Sequence, residues 1–293
     1  MRVVEPMTVT DSMVLFHPLP EDDYPLWLPG VTYNTGDLRL YEHHIYKAGE
    51  DGLLDVLPTD DSKWTKVRAS NYWGLFDYYS GSKTTFNADL TLRLKPNSLY
   101  KVMAFLDVSN ITGIHIKMTH LDHGVVYDQT FSMIDYGVAN WWEYFYTYPE
   151  LKTDLIVSDL PTYPTAEIEI TLFAAQTASI GALLIGKSKI LGQAQYDLSG
   201  GQVDYSTLAD NEFGVWTITE RDSVKRRSFP FRSHTARVAQ VERYLKSIRT
   251  KPTLWIGSDL NPGFMAYGFA MDFEFNSPNS TDTFWTVDIR GLL

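Results

Sequence analysis

The chain has 293 residues, 44% hydrophobic and 21% charged, which suits two or three compact globular units. Its formal net charge is −11, so its mean field repels a phosphate backbone and argues against a nucleic-acid partner. It has no cysteine, which excludes disulfides, thiolate chemistry and cysteine-ligated metals.

The aromatic fraction, 14%, leans the chain towards β structure and towards contact surfaces. No apolar run approaches the ~20 residues that cross a bilayer, and the opening MRVVEPMTVTDSMV lacks an unbroken apolar core. The expectation is a soluble protein with no membrane insertion.

In chain order, residues 1–25 end in FHPLPEDDYP, whose prolines and acidic cluster read as an extended N-terminal arm laid across a neighbouring subunit. Residues 26–69 form a short aromatic stretch. Leu38 and Leu40 alternate before the Glu42-His43-His44 turn and Ile45 and Tyr46 follow it, the pattern of a β-hairpin. Some 40 residues bury little core, so this module needs its aromatics or a neighbour for stability.

Residues 70–192 carry strand-sized runs, TTFNADLTLRL, YKVMAFLDV, GIHIKMTHL, GVVYDQTFSM, EIEITLFAA and SIGALLIG, separated by turn material. Ile114, Ile116 and Met118 alternate with His115, Lys117 and Thr119, and no helical period intervenes. This predicts an antiparallel β-sandwich of jelly-roll type. Residues 193–293 read as α+β. Val238, Val241, Leu245 and Ile248 form one apolar stripe of a helix over 234–249, with strands on either side. The fold expected is therefore mainly β: a small aromatic β module, a jelly-roll β-sandwich and a C-terminal α+β domain with one amphipathic helix.

Few residues carry a chemical signature. His120-x-x-His123 with Asp122 has a spacing open to a metal, but a solvated β-turn explains it without one, and His43 and His44 would point to opposite sides of a strand. No nucleophile elbow, phosphate loop or dinucleotide fingerprint occurs. Asp135, Glu143, Asp154 and Asp159 surround the WWEYFYTY segment, yet no pair has the spacing of a glycan hydrolase. No catalytic residue, metal or cofactor is expected.

The dense run Trp141 to Tyr148 is read as a strand, with Trp142, Tyr144 and Tyr146 on one face and Trp141 and Phe145 on the other. One face belongs to a core. The other is free for a partner subunit or, as an aromatic platform, for sugar. Trp142, Tyr144 and Tyr146 are thus interface candidates, joined by Arg237 and Arg243 on the polar faces of the predicted helix. The basic run Lys225, Arg226 and Arg227, with the cations that follow it, is read as a solvated helix face meeting an acidic neighbour.

Leading Trp27, Tyr33-x-x-Gly36-Asp37, Leu38 followed by Tyr41, Tyr46-x-Ala48, a loop with Pro58 and closing Trp64 together resemble a small chitin-binding-type carbohydrate module, about 40 residues long. The resemblance implies a tiny sheet held by its aromatics, with Tyr33, Tyr46 and Trp64 as sugar-stacking positions. His43-His44 stands where such modules have a short Gly or Asn turn. With this module, NYWGLFD at 71–77, the jelly roll and the FGVW, YGFAMDFEF and DIRGL segments, the whole layout resembles a tailed-bacteriophage virion protein. That implies a multi-copy structural component of a collar, tail or baseplate, located in the virion, forming a homo-oligomeric ring and contacting other virion proteins. The alternative it carries is contact with host-surface glycan and, behind that, glycan hydrolysis.

Overall fold

A computed structural model describes residues 1–78, 82–135, 140–146, 150–210, 216–221, 223–258 and 262–292, leaving aside the side chains of Tyr144 and Pro262. The protein is mainly antiparallel β, with one helix longer than two turns among the described residues, Val238–Ile248. It divides into two compact units, Thr8–Ile185 and Met1–Met7 with Gly186–Leu293.

In the unit Thr8–Ile185, two long strands form the centre. Val102–His120 pairs with Glu167–Ile190, and the outer edge of Glu167–Ile190 takes Leu90–Leu94 and then Thr84–Phe86. The outer edge of Val102–His120 is shared by Leu155–Val157 and Gly124–Ser132. Val102 to Leu106 and Ile180 to Ile185 are buried without alternation, so these stretches are covered on both faces. On the outer edge of Glu167–Ile190 the pairing is interrupted between Leu172, opposite Leu90, and Ala178, opposite Phe86. Asp107 and Asn110 take left-handed conformations, and Asn110 donates to the Thr177 carbonyl while the Ala174 amide donates to Asp89. Side chains thus satisfy backbone groups that the ladder leaves open.

The aromatic module lies in this unit and has its own small core of Tyr33, Tyr46, Ala48, Leu53 and Trp64. Its hairpin joins Leu38–Tyr41 to His44–Ala48 through a two-residue turn, Glu42 and His43, with φ of 45° and 64°. Two successive left-handed residues match the twist of a tight hairpin. Trp64–Ala69 adds the third strand.

The other unit is an antiparallel meander. Arg2–Pro6 lies between the end of Glu167–Ile190 and Thr253–Ile256, followed by Met265–Asn276, Asp282–Gly291 and Ser223–His234. Helix Val238–Ile248 buries Val241, Tyr244, Leu245 and Ile248 in a core with Phe229, Phe231, Trp255 and Trp285. The predicted stripe is there, with Val238 partly buried and Tyr244 added.

Three local expectations are corrected. Residues 2–6 are not part of a free arm but a strand paired on both edges, because adjacent Val3 and Val4 are each buried on opposite faces. Residues 8–25 pack on their own unit, through Val14–Phe16 pairing with Leu90–Leu94 and through Asp23, which accepts from the Asn71 amide. Trp141–Tyr146 is a short helix, not a strand. Asn140 explains the change: its side chain accepts from the Glu143 amide and donates to the Glu143 carboxylate, capping the first turn. The basic run Lys225 to Arg227 lies in strand Ser223–His234 rather than on a helix.

Candidate functional site

The three sugar-stacking positions are interior. Tyr33 and Trp64 are each 1% exposed and Tyr46 is buried beside them. The Tyr33 hydroxyl accepts from the Leu28 amide at 2.8 Å and donates to the Leu28 carbonyl at 3.0 Å. Its ring meets Trp64 edge-on at 5.5 Å, and Trp64 Nε1 donates to the Val56 carbonyl. Burial, with Glu42 and Asp61 adding to it, raises the Tyr46 hydroxyl above its ordinary pKa. These residues hold the tiny sheet together and offer no flat face to a ligand. Trp27 and Tyr41, packed edge-to-face at 5.7 Å, are only partly buried.

The interface candidates fare differently. Trp141 and Trp142 are 77% and 70% exposed, and Phe145 and Tyr146 are also largely open. The helix pairs them four residues apart: Trp141 with Phe145 at 6.4 Å, and Trp142 with Tyr146 at 4.1 Å. Tyr144 belongs to the same helix, and its side chain lies outside the described residues, as do Thr147 and Tyr148. Arg237 and Arg243 are exposed on the helix region of the other unit. The structure places four aromatics on one solvent-facing helix and the two arginines on another element.

Comparison of the chain with protein-family models, with curated proteins and with solved structures gives no match.

Among the described residues, no group of three or more His, Asp or Glu side chains is placed to hold a metal ion, and no helix is long and apolar enough to cross a membrane. His120 and His123 stack at 4.9 Å and both pack against Tyr163, while His120 Nε2 meets the Thr165 hydroxyl at 3.1 Å. Asp154 accepts from the Asp107 amide, and Glu143 is held by Asn140.

Two features escaped the sequence reading. One is the junction around His43, where its ring stacks on Trp73 at 4.2 Å and both ring nitrogens face carboxylates. These partners come from residues 11, 21 and 73, and no local pattern joins them. The other is a long hairpin in the second unit. Ser199–Asp204 pairs with Ser223 to Ser228, and Thr207–Asp210 then pairs with Trp216–Thr219. The Ser206 hydroxyl bridges the break, donating to the Arg221 carbonyl and accepting from the Arg221 amide. FGVWTITERD and SFPFRS read as strands from the sequence; what the sequence does not give is their partners, Ser199–Asp204 and Thr207–Asp210.

Proposed function

We propose that the chain is a multi-copy structural subunit of a bacteriophage virion, in the collar, tail or baseplate region. In this reading it works through assembly contacts with its own copies and with other virion proteins, not by catalysis. The observation that carries the assembly part is the helix Trp141–Tyr146, whose four described aromatics stand in solvent. Large aromatics left open on one element are the usual anchors of a partner surface. Each covers about 150–250 Å², so docking a partner over them is worth several kcal/mol at about 25 cal/mol per Å². The virion assignment rests on the resemblance of the segments from Trp27 to Leu292, with the antiparallel unit read as a jelly roll.

The test is native mass spectrometry and analytical ultracentrifugation of the full chain. A defined oligomer is expected, weakened in a Trp141→Ser/Trp142→Ser variant, with density for the chain in images of its particle. A protein monomeric at about 100 μM, with no place in any particle, removes the proposal.

A second reading is contact with host-surface glycan. The open faces of Trp141 and Trp142 favour it, since the buried Tyr33, Tyr46 and Trp64 cannot stack on sugar. A glycan array would show binding lost in Trp142→Ala and kept in variants of the module; no binding at all removes this reading.

A further inference from the structure

The hairpin that pairs Ser199–Asp204 with Ser223 to Ser228 and Thr207–Asp210 with Trp216–Thr219 is amphipathic, and among its described residues the apolar face is exposed. In its distal half Leu208 lies opposite Ile218 and Asp210 opposite Trp216. Side chains alternate along a strand, so Leu208, Asp210, Trp216 and Ile218 share one face, and Thr207, Ala209, Thr217 and Thr219 share the other. Leu208, Trp216 and Ile218 are 59%, 63% and 68% exposed. A two-stranded ribbon with no third layer is marginal in water, and its apolar face is the part that seeks cover. The root of the hairpin is anchored: the Arg290 guanidinium lies over the Tyr205 ring at 5.6 Å and donates to its hydroxyl. The distal half has no such support among the described residues.

Charge identifies what fits. Among the described residues of 204–221, Asp204, Asp210 and Glu220 stand against the single cation Arg221. Residues 235–251 carry the opposite set, Arg237, Arg243, Lys246, Arg249 and Lys251 against the single anion Glu242. All five of these cations are exposed. In an acidic chain this is a concentration of cations: Arg243 and Lys246, the latter paired with Glu242, are exposed on helix Val238–Ile248, whose Val241, Leu245 and Ile248 enter the core, and Arg237, Arg249 and Lys251 flank its ends.

We infer that the distal hairpin docks on the exposed cations of and beside helix Val238–Ile248 in a second copy of this chain. Among the described residues of one chain both surfaces are uncovered, so the pairing is assigned to two copies. Because the two patches differ, the contact is head-to-tail and repeats from copy to copy, closing into a ring or growing into a filament. The apolar face of the hairpin supplies the anchors and the opposite charges supply steering and register. This inference rests on the proposed assembly function and specifies the surfaces that carry it.

The test uses two full-length variants, Trp216→Ser/Ile218→Ser on the hairpin and Arg243→Glu/Arg249→Glu on the helix. All four positions are exposed or face away from the core, and circular dichroism checks that each variant folds. Each variant alone should weaken self-association by about 30-fold or more. Mixed one to one, they retain one intact hairpin and one intact helix face between them, so they should form dimers that do not extend. Wild-type association should also weaken as salt rises. If the wild type assembles and both variants assemble equally well, the hairpin contact is wrong while the assembly reading stands. If the wild type never self-associates, both fall together. If the hairpin variant alone is defective and mixing restores nothing, the hairpin meets another partner and this inference is overturned.

Discussion

His43 Nε2 lies 2.7 Å from a carboxylate oxygen of Asp11, while its Nδ1 faces both oxygens of Glu21 at 3.0 Å. The ring thus links the two carboxylates, one through each nitrogen. Glu21 in turn accepts from the Ser70 hydroxyl at 2.5 Å. One side chain at a hairpin turn therefore ties down two points of the segment 8–25. His43→Asn should keep the left-handed turn, since Asn tolerates positive φ, but lose the Asp11 link and the stack on Trp73. Amide exchange over residues 11–24 should speed up about 10-fold, the effect of losing about 1.4 kcal/mol. Unchanged exchange there would show that His43 is not what holds the segment.

His17 also packs against Tyr72, with ring centroids 4.2 Å apart. Its Nδ1 accepts from the Leu19 amide, and burial lowers its pKa from 6.5 to about 4. An unfolded chain therefore binds a proton at His17 that the folded chain refuses between these two values. The stability His17 contributes is complete above about pH 6.5 and is lost progressively as pH falls towards 4. Urea midpoints measured at pH 7 and pH 4.5 should differ less in His17→Phe than in the wild type. Equal differences in the two proteins would assign the acid sensitivity to other groups.

The module aromatics give a prediction of opposite kind from the one their sequence invited. Trp64→Ala opens a cavity beneath Tyr33 and leaves the Val56 carbonyl without its donor. It should cost about 3–5 kcal/mol. Tyr33→Phe keeps the ring but orphans both backbone groups of Leu28, at about 1–3 kcal/mol. Denaturation monitored by tryptophan fluorescence measures both. A Trp64→Ala protein as stable as the wild type would mean the ring is not the keystone of that small core.

Most of the fold was legible where one local period decides. The Leu38–Tyr41 and His44–Ala48 hairpin, the Val238–Ile248 helix and the strands around Ile114 and Ile170 all follow from alternation or a helical stripe. The aromatics of Trp141–Tyr146 favour a strand by propensity, and Asn140, one residue upstream, tips the balance to a helix. Tyr33, Tyr46 and Trp64 could be placed in a small sheet from their spacing, but spacing does not tell a ring that faces solvent from one that fills the core. The His43 junction was invisible for another reason: its partners are 22 and 32 residues away, joined by folding alone.

Gly268 tests how tightly the meander is built. It lies in Met265–Asn276, opposite Thr253 on one side and Gly291 on the other. A Cβ there would fall on the carbonyl oxygen of Arg290 and against the Gly291 backbone, neither of which is a flexible side-chain tip. Relief would require the strand Asp282–Gly291 to move, and Val287 and Ile289 of that strand are fully engaged in the core around Trp285. Gly268→Ala should therefore cost about 1–3 kcal/mol or more. Gly201, exposed in the hairpin with no atom near its missing Cβ, is the matched control, and Gly201→Ala should stay within about 0.5 kcal/mol of the wild type. Urea denaturation of the two variants side by side separates backbone crowding from the general effect of replacing a strand glycine, since only crowding makes the two results differ.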